Sequence, residues 1–394
     1  MKILLVNDQF FAANNGMTIS AQRFARVLEN HGNEVRVVSY GTPATVKEPE
    51  KAYLMDKFTV YGFDWLISSQ GMTFAKADDA VLIDAITWAD VVHFLTPFAL
   101  SHHGIEIAKN LHVPFTAAFH VQPENITSSI KLGKVGFIND LIYRWFNHYI
   151  YKYCGHIHCP SKFIAGELQK RNYKGKLHVI SNGIDPDFIG KRNIEKSIGL
   201  KDKFVILMVG RLSVEKRQDV LIDAVKKSRY ADKIQLILAG NGPRKTDLIN
   251  RSEGLKNPII INFYNKNDLL NIIAQSDLYV HASDMEIEAM SCMEAFAGGL
   301  VPIIANSKKS ATPQFALDDR SLFNAGDSSD LAQKIDYWYE NDSERCVMGR
   351  EYVKLGQKYD LDSCVLAAEK MFFEAINDSK NVAQAENEMS EQWA

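Results

Sequence analysis

Two basic and two acidic side chains in the second half of the chain follow apolar runs that are typical of buried strands. Arg211 follows directly on the run 204–210, and Lys216 lies near the start of the next predicted helix. Glu286 and Glu294 follow a later apolar run. An arginine fork beside a lysine point charge suits a diphosphate. Because an unpaired buried carboxylate is costly, the glutamates either form a solvated helix face or hold a ligand.

Each of these residues also has an ordinary structural explanation. Arg211 and Lys216 could form surface ion pairs, with Glu215 as an available partner. The first glutamate could complement a helix N-terminus, where carboxylates are favoured. Gly240 and Gly242 could let the backbone approach a ligand closely, or they could be simple turn glycines. The positions of all these residues after successive strands favour one shared binding site.

Short apolar runs alternate with helical patterns through most of the chain. The predicted strands are 2–7, 34–40, 89–95, 114–120, 156–161, 177–183, 204–210, 234–240, 259–263, 278–283 and 301–305. The predicted helices include 18–31, 101–111, 217–228, 243–251, 267–275 and 287–298. This alternation implies parallel sheets with right-handed crossovers. We predict an α/β protein of two facing, doubly wound, Rossmann-like domains, with ligands at the C-terminal edges of the strands.

The limits of the domains follow from changes in composition. The polar and charged stretch 185–203 separates the two alternating series, so we place the domain boundary there. The stretch 329–378 is typical of helices only, and the polar segment 379–394 is predicted to be a loose tail.

The composition is that of a soluble globular protein. The chain has 394 residues, 46% hydrophobic and 24% charged, which fits two domains of ordinary size. A formal net charge of −3 gives no reason to expect nucleic acid as a partner. Five scattered cysteines do not form a disulfide framework, so we expect a reducing compartment. No signal peptide or membrane-spanning run is apparent, and we expect a cytoplasmic protein that could rest on a membrane surface.

Several motifs together resemble one enzyme family. "GRLSVEKRQDVLIDAV", "LAGNGP", the spacing from Glu286 to Glu294 and "GGLVPIIA" look like the C-terminal half of family 4 retaining glycosyltransferases of the GT-B fold. The glycine loop at Gly16, "VVHFLTPF", the strand ending at His120 and "ISNGID" are similar to the N-terminal half. The resemblance covers about residues 1–310 in order.

The resemblance implies a division of labour between the domains. Residues 1–190 would bind the acceptor, residues 191–360 would bind a nucleotide-sugar donor, and 361–378 would be a helix that crosses back to the first domain. The implied reaction transfers a hexose from the donor, with a UDP-sugar favoured, to an acceptor hydroxyl with retention of configuration. The acceptor would belong to a membrane lipid or a cell-envelope glycan.

The resemblance also assigns roles in the second domain. Arg211 and Lys216 would hold the nucleotide diphosphate and neutralise the charge of the leaving group. Glu294 would accept hydrogen bonds from the ribose hydroxyls. Glu286 would contact the donor sugar, and the backbone N–H groups from Ile287 onward would help to bind it at a helix start. With this much positive charge, we expect no divalent metal and no tightly bound cofactor.

In the first domain the resemblance assigns two residues to the site. Gly16 would let its loop reach the diphosphate across the cleft, and His120 would lie near the sugar and the acceptor. The chain departs from the family directly after Glu286, where "IEA" stands in place of a Gly-Phe-Gly pattern. We expect Glu288 to face solvent, with a contact to the donor as the alternative.

Other functions compatible with these motifs remain. The chain could be a catalytically inactive subunit that binds a nucleotide sugar and supports a partner, or a GT-B sugar-nucleotide epimerase. A phosphorylase would need a lysine-bound cofactor, for which no motif is apparent.

The stretch 126–153 combines basic and aromatic side chains and could contact a membrane. Its basic residues are Lys131, Lys134, Arg144 and Lys152. This pattern is typical of a membrane-surface helix, although a helix packed on its own domain through its aromatics is the alternative. The pattern also resembles, more loosely, bacterial family members that glycosylate diacylglycerol-type lipids. Just before it, the possible acceptor contacts are Gln122, Glu124 and Asn125.

The segment "CGHIHC" invites a metal interpretation. Cys154, His156 and His158 share strand parity, but Cys159 does not, and no second ligand pair is apparent in the sequence. We therefore predict a core strand here and no zinc site.

Overall fold

The computed structural model describes residues 1–12, 16–42, 44, 46, 48–59, 72–129 and 136–392. It divides into two compact units. Unit 1 combines Met1–Asn182 with Leu361–Ala394, and unit 2 is Gly183–Asp360.

A seven-stranded parallel sheet forms the centre of unit 1, in the strand order β3-β2-β1-β6-β7-β8-β9. Its strands are β1 Lys2–Val6, β2 Glu34–Tyr40, β3 Ala52–Met55, β6 Val91–Phe94, β7 Phe115–Ala118, β8 His156–Cys159 and β9 Lys176–Val179. Two short strands, β4 Lys57–Phe58 and β5 Phe74–Ala75, pair antiparallel beside it. In β1, Ile3, Leu4, Leu5 and Val6 are all buried, as expected for a parallel strand covered on both faces.

The helices of the first part of unit 1 follow the strands in alternation. They are α1 Gly16–Asn30, α2 Asp79–Trp88, α3 Ala99–Asn110, α4 Pro123–Ser129, α5 Gly136–Tyr149 and α6 Lys162–Lys170. Single-turn 3₁₀ helices lie at Pro49–Lys51 and Tyr151–Tyr153. The start of α2 shows how the sequence sets a boundary, because the Asp78 carboxylate accepts hydrogen bonds from the N–H groups of Ala80 and Val81.

A six-stranded parallel sheet forms the centre of unit 2, in the order β12-β11-β10-β13-β14-β15. Its strands are β10 Phe204–Val209, β11 Ile234–Ala239, β12 Ile260–Asn262, β13 Leu278–His281, β14 Val301–Ala305 and β15 Leu322–Phe323. The helices are α7 Gln218–Lys227, α8 Lys245–Arg251, α9 Lys266–Gln275, α10 Met290–Ala297, α11 Ser328–Glu340 and α12 Asp342–Gln357. Short 3₁₀ helices lie at Pro186–Phe188, Val214–Lys216, Thr312–Phe315 and Asp319–Ser321. The prediction of two doubly wound parallel-sheet domains is confirmed.

The chain enters unit 2 at Gly183, before the predicted limit at 190. Ile184 donates its N–H to the Tyr359 carbonyl at 2.7 Å, and Phe188 is buried in the core of unit 2. The polar composition of 185–203 gives no indication of these contacts, because they depend on backbone groups and on one aromatic side chain.

The last helix, α13 Leu361–Gln392, belongs to unit 1. Its residues Val365, Met371 and Phe372 are buried in the core of that unit. The helix continues to Gln392, whereas the sequence predicted a loose tail from 379. The physical reason is composition, because the segment 379–392 contains alanine, glutamine, glutamate and methionine and neither glycine nor proline. Across the part of the chain that the structure describes, no helix is both long enough and apolar enough to span a bilayer.

Candidate functional site

The strand order of unit 2 reverses between β10 and β13, and the candidate site lies at this point. To one side of β10 lie β11 and β12, and on the other side lie β13, β14 and β15. In doubly wound sheets, ligands bind at the C-terminal ends of the strands on either side of such a reversal. Arg211 follows β10, and Glu286 follows β13. The two loops named by the sequence are therefore neighbours.

Hydrogen bonds tie these two loops together. Asp284 donates its N–H to the Glu215 carbonyl at 2.8 Å, and the Ser283 hydroxyl donates to the same carbonyl at 3.2 Å. Arg217 Nη1 lies 3.1 Å from Asp284 Oδ2. Arg217 adopts a left-handed conformation, with φ 55°, between the 3₁₀ turn and α7. This turn places the preceding side chain, that of Lys216, at the loop junction.

Lys216 and Glu286 form an ion pair at this junction. Both side chains are largely buried, 19% and 12% exposed, and His281 Nε2 lies 3.1 Å from the same carboxylate oxygen, Oε1. Burial alone would raise the pKa of Glu286, but the Lys216 charge and the His281 hydrogen bond outweigh it and lower the pKa to about 2. Glu286 is therefore ionised at neutral pH and can accept hydrogen bonds but not donate a proton.

The alternative partner for Lys216 is otherwise engaged. The Ser213 hydroxyl donates to the Glu215 carboxylate two residues away. Lys216 thus pairs with Glu286, 70 residues along the chain, and not with its sequence neighbour. The structure brings together two of the residues that the sequence named, while their roles in binding stay predictions.

His281 and Tyr279 belong to this cluster, and the sequence analysis missed them. The Tyr279 hydroxyl lies 3.3 Å from His281 Nδ1 and 3.2 Å from the Ser291 hydroxyl. Ser291 in turn donates to the Val209 carbonyl at 3.1 Å, which fixes the start of α10 at the end of β10. His281 could have been found from the sequence, because a histidine is the last residue of the strand "LYVH" and therefore lies at the sheet edge where ligands bind.

The other predicted donor contacts lie around the start of α10. Ile287 is half-buried, and Glu294 lies within α10 and is buried. Glu288 is 1% exposed, so the expectation that it faces solvent is wrong. The sequence predicted a helix from 287, whereas Ala289 turns the chain with φ 74° and α10 begins only at Met290. Glu288 therefore does not lie on the outer face of a helix.

Arg211 and the two glycines lie on loops that contact each other. Arg211 is half-buried, and its carbonyl accepts a hydrogen bond from Gln218 Nε2 at 2.8 Å. A Cβ on Gly240 would lie 2.0 Å from the Gly210 carbonyl oxygen, and one on Gly242 would lie 2.4 Å from the Leu212 carbonyl oxygen. Packing between these loops accounts for both glycines, and an additional contact with a ligand stays a prediction.

In unit 1, His120 lies just beyond β7 and beside two buried histidines. The ring of His158 is 5.1 Å from that of His120 and 5.8 Å from that of His93. Burial lowers the pKa of His158 to about 4 and, with repulsion from His158, holds the pKa values of the other two well below their usual range. His120 is therefore a neutral imidazole at neutral pH, on the wall of a small, mainly apolar pocket.

Gly16, the other residue predicted in unit 1, is exposed and begins α1. A Cβ at Gly16 would meet nothing within 4 Å, so packing within the protein does not require this glycine. The neighbouring Asn14 and Asn15 lie outside the described residues.

Asp8 is a further candidate that the sequence analysis missed. It follows β1 and is buried, with Oδ2 accepting from the Thr96 hydroxyl at 2.6 Å and Oδ1 from the Ala75 N–H at 3.0 Å. Burial raises the pKa of Asp8 to about 6, although these hydrogen bonds lower it in part. Asp8 could have been found from the sequence, because the polar triplet Asn7–Gln9 directly follows the first strand, at the sheet edge where ligands bind.

The proposed acceptor contacts lie on and before α4, and two of them are buried. Gln122 and Glu124 are both buried in unit 1. The Tyr143 hydroxyl donates to Glu124 Oε2 at 3.3 Å. Asn125 is half-buried, and it is the most accessible of the three predicted residues.

Helix α5 has one buried face and one exposed apolar face. Tyr143 and Phe146 are buried, as the packed-helix alternative expected. Large exposed side chains recur at every fourth position, and we call them the α5 stripe: Phe137 76%, Leu141 56%, Trp145 46% and Tyr149 39% exposed. Arg144 and Lys152 are exposed nearby, and Lys131 and Lys134 lie outside the described residues. The packed-helix alternative therefore describes the buried face, while membrane contact through the exposed face stays a prediction.

Two family models match the chain, one on each half. Residues 14–188 match "Glycosyltransferase Family 4", and residues 190–354 match "Glycosyl transferases group 1". Together the matches cover most of the sequence. The chain belongs to this glycosyltransferase family. It is therefore a hexosyltransferase of the GT-B type, and its recognition from the motifs is confirmed.

Named relatives agree with this assignment. The alpha-monoglucosyldiacylglycerol synthase of Streptococcus pneumoniae is 25% identical over 323 residues, covering 78% of this chain and 71% of that protein. A GDP-mannose-dependent alpha-mannosyltransferase of Mycolicibacterium smegmatis is 24% identical, covering 77% and 79%. Among solved structures, Anabaena Alr3699/HepE in complex with UDP superposes with a TM-score of 0.74 at 17% identity, covering 95% and 100%. This last likeness concerns the fold.

Proposed function

We propose that this glycosyltransferase moves a hexose from a UDP-sugar to a hydroxyl group of a membrane lipid, with retention of configuration. The observation that carries the donor half is the Lys216–Glu286–His281 cluster at the strand reversal of unit 2. The observation that carries the lipid half is the α5 stripe in unit 1.

The donor chemistry rests on fixed charges. Lys216 and Arg211 hold the diphosphate and stabilise the negative charge that develops as the glycosidic bond breaks, an effect typically worth several kcal/mol. Because Glu286 stays ionised, its role is to accept hydrogen bonds from the sugar and to position Lys216, not to protonate the leaving group. Glu294 accepts from the ribose. With this arrangement the transfer itself proceeds without a divalent cation or a tightly bound cofactor.

The acceptor attacks from the face of the leaving group, which accounts for retention without a covalent intermediate. The neutral ring of His120 serves as a hydrogen-bond partner for the sugar or the incoming hydroxyl. Gly16 leaves room for the donor phosphates at the start of α1, where backbone N–H groups favour an anion. Measured anomeric configuration of the product, by proton NMR, tests retention directly.

A lipid acceptor explains why the α5 stripe leaves so much apolar surface in water. Each stripe residue leaves a large part of an aromatic or aliphatic side chain in water, and Arg144 adds positive charge beside it. Such a face inserts into the interfacial region of a bilayer and is attracted to anionic lipids. The name of the Streptococcus pneumoniae relative, a glucosyldiacylglycerol synthase, points to the same class of acceptor. We therefore propose a peripheral position at the inner face of the cell membrane.

The proteins similar to this chain differ in the nucleotide that they are named or solved with, so UDP as the nucleotide needs its own test. Alr3699/HepE was solved with UDP, whereas the Mycolicibacterium smegmatis relative is named for GDP-mannose. A thermal-shift panel of UDP-, GDP- and ADP-sugars decides between them, because a bound ligand stabilises the native state by mass action. The largest shift is expected with a UDP-hexose, and a larger shift with a GDP-sugar would overturn this part of the proposal.

The decisive experiment combines the donor with vesicles. Purified protein is incubated with the best UDP-hexose and with vesicles that either contain or lack diacylglycerol, and lipid products are separated from water-soluble ones. The expected result is a glycolipid only with the acceptor vesicles. Free hexose with no glycolipid would refute the lipid acceptor, an epimerised donor would indicate the epimerase, and donor binding without turnover would indicate the inactive subunit.

A further inference from the structure

Three potential metal ligands converge on one face of the sheet in unit 1. His156 on β8 and His178 on the neighbouring edge strand β9 have His156 Nδ1 and His178 Nε2 2.9 Å apart. Glu374 on α13 approaches both, with Oε2 3.9 Å from His156 Nδ1 and 3.8 Å from His178 Nε2. Their ligand atoms all lie within 4.8 Å of one another. Among the described residues, this is the group of at least three histidine, cysteine, aspartate or glutamate side chains that meets this distance.

The spacing of these atoms fits a metal ion of the size of zinc. A triangle with sides of 2.9, 3.9 and 3.8 Å has a circumscribed circle whose radius is about 2.1 Å. Zinc lies about 2.0 to 2.2 Å from imidazole nitrogen and carboxylate oxygen. An ion near the centre of the triangle would therefore lie within bonding distance of all three atoms. Two histidines and a glutamate also match the ligand preference of zinc.

A fourth side chain orients the first histidine as it would in a metal site. Asp378, one turn after Glu374 on α13, has Oδ2 3.1 Å from His156 Nε2. Donation of the Nε2 proton to this carboxylate leaves the Nδ1 lone pair free and directed toward the other two ligands. A histidine ligand that donates its second N–H to a carboxylate is the usual arrangement around protein-bound zinc.

A second cluster on the same helix lacks this convergence and provides a comparison. His31 contacts Glu369 through Nδ1 and Asp362 through Nε2, both at 2.9 Å. Because the two carboxylates lie on opposite nitrogens of one ring, they cannot bind a single ion together with it. Both clusters attach α13 to the rest of unit 1, but only the cluster at His156 presents three ligand atoms to one point.

We propose that His156, His178 and Glu374 bind one divalent transition-metal ion of the zinc type, with Asp378 as a positioning residue. The ion joins α13 to β8 and β9, and a water molecule completes its coordination on the exposed side of Glu374. All four residues lie in unit 1, on β8, β9 and α13, so the role of the ion is to stabilise the attachment of the last helix. In the sequence His156 stands beside Cys154 and His158, but its partners come from β9 and α13.

Substitution of Lys176 tests this proposal, because a metal site and a purely structural cluster predict different changes in metal affinity. Its Nζ lies 2.6 Å from Glu374 Oε2, and its side chain is well exposed. A bound cation competes with this ammonium group for the same oxygen. Lys176→Gln is therefore expected to tighten metal binding by about threefold, since the loss of an exposed ion pair changes such an equilibrium only modestly. If the cluster has only a structural hydrogen-bonding role, the substitution changes no metal affinity.

The experiment is a calorimetric titration of the chelator-treated 394-residue chain with zinc chloride, accompanied by metal analysis and thermal unfolding. The expected result is one zinc per chain and a higher melting temperature with zinc. Glu374→Gln and His178→Gln should each weaken binding at least about tenfold, and Asp378→Asn by about tenfold. The matched control His31→Gln should leave zinc affinity unchanged.

Cobalt(II) provides a readout that does not depend on stability. Histidine and carboxylate ligands in a four-coordinate site give cobalt a visible absorption much stronger than that of the hydrated ion, and this strong absorption should be lost in Glu374→Gln. Zinc binding that is absent, or equal in wild type, Glu374→Gln and His178→Gln, would overturn the proposal and leave a His156–His178 hydrogen bond as the whole function of the cluster.

Discussion

Lys216 and Glu286 form an ion pair although they are 70 residues apart in the sequence. Each follows one of the two strands, β10 and β13, between which the strand order of unit 2 reverses. His281 contacts the same carboxylate oxygen at 3.1 Å, so the position of the ammonium group is fixed before any ligand arrives. A cation that needs no rearrangement stabilises a developing negative charge more effectively than a mobile one. Glu286 thus influences the phosphate end of the donor through Lys216, in addition to its proposed contact with the sugar.

Glu286→Gln should lower kcat/KM for sugar transfer by about 100-fold, the magnitude seen when one charge-stabilising group is lost. The amide keeps the shape of the side chain but removes the charge that holds Lys216. Steady-state kinetics with the UDP-hexose checks this. The matched control is Glu215→Gln on the adjoining loop, which should keep activity within about threefold, and equal activities of the two variants would contradict the assigned role of Glu286.

Lys216→Ala and Glu294→Ala should each weaken donor binding while the protein stays folded. Charged hydrogen bonds contribute about 1.5 to 3 kcal/mol, so we expect the dissociation constant to rise about 10-fold to 100-fold. Calorimetric titration with the nucleotide sugar measures this, and circular dichroism checks the fold. Lys201→Ala, at an exposed position of the same unit, serves as the control. Retention of full donor affinity by both site variants would show that the donor binds elsewhere.

Gly240→Ala should destabilise the protein by about 2 kcal/mol or more, because the new methyl group would lie 2.0 Å from the Gly210 carbonyl oxygen. Gly199→Ala is the control in the same unit, since a Cβ there meets nothing within 4 Å. Urea unfolding of both variants gives the difference in free energy. A Gly240 variant that unfolds like wild type but binds the donor poorly would mean that the glycine serves the ligand and not the packing.

Local patterns were sufficient to predict β10 and β13 and the loops that follow them, whereas the short strands β3, β4, β5 and β15 were not predicted. A parallel strand is a short apolar run, and its C-terminal end is where polar residues resume, as at Arg211. The sequence could not predict which charged side chains meet, because Lys216 had an acidic neighbour at Glu215 and the pairing was decided by strand order. The prediction that Glu288 faces solvent failed for a similar reason, because the burial of this side chain depends on the left-handed turn at Ala289.

The sequence did not show the partners of residues whose contacts come from distant elements. His156 belongs to "CGHIHC", yet its partners lie on β9 and on α13, more than 200 positions away in the case of Asp378. His281 and Asp8 lie at strand ends, where the sequence shows a polar residue at the ligand-binding edge but not the partners of that residue. Their importance became apparent only from the hydrogen bonds around them, since burial and partners are tertiary properties.

Removing the apolar character of the α5 stripe should release the protein from membranes. Phe137→Ser and Trp145→Ser each remove an exposed aromatic side chain whose insertion is worth about 2 kcal/mol, so the double variant should lower vesicle binding more than tenfold. Flotation with anionic vesicles measures this. Donor affinity should not change, because neither side chain belongs to the donor cluster of unit 2. Ile83→Ser, which removes a similarly exposed aliphatic side chain on α2, is the control and should bind vesicles like wild type.

The buried histidines of unit 1 should make the protein less stable as the pH falls below about 6.5. The pKa of His158 is about 4 in the folded state and ordinary in the unfolded state, so between these values the unfolded state takes up a proton that the folded state excludes. In this range, each such histidine lowers the free energy of unfolding by about 1.4 kcal/mol for every unit by which the pH falls. His158→Gln, whose amide can still donate to the Ile180 carbonyl, should reduce the slope of unfolding free energy against pH by that amount.

Asp8 should have the opposite effect in nearly the same pH range. Its pKa of about 6 in the folded state lies above the usual value near 3.8, so the folded state takes up a proton first and gains stability as the pH falls. Asp8→Asn removes this gain and should make the slope steeper by about 1.4 kcal/mol per pH unit. Denaturant unfolding between about pH 4.5 and pH 6 measures both variants. Slopes that change in the same direction, or not at all, would mean that these groups are not held in their neutral forms by burial.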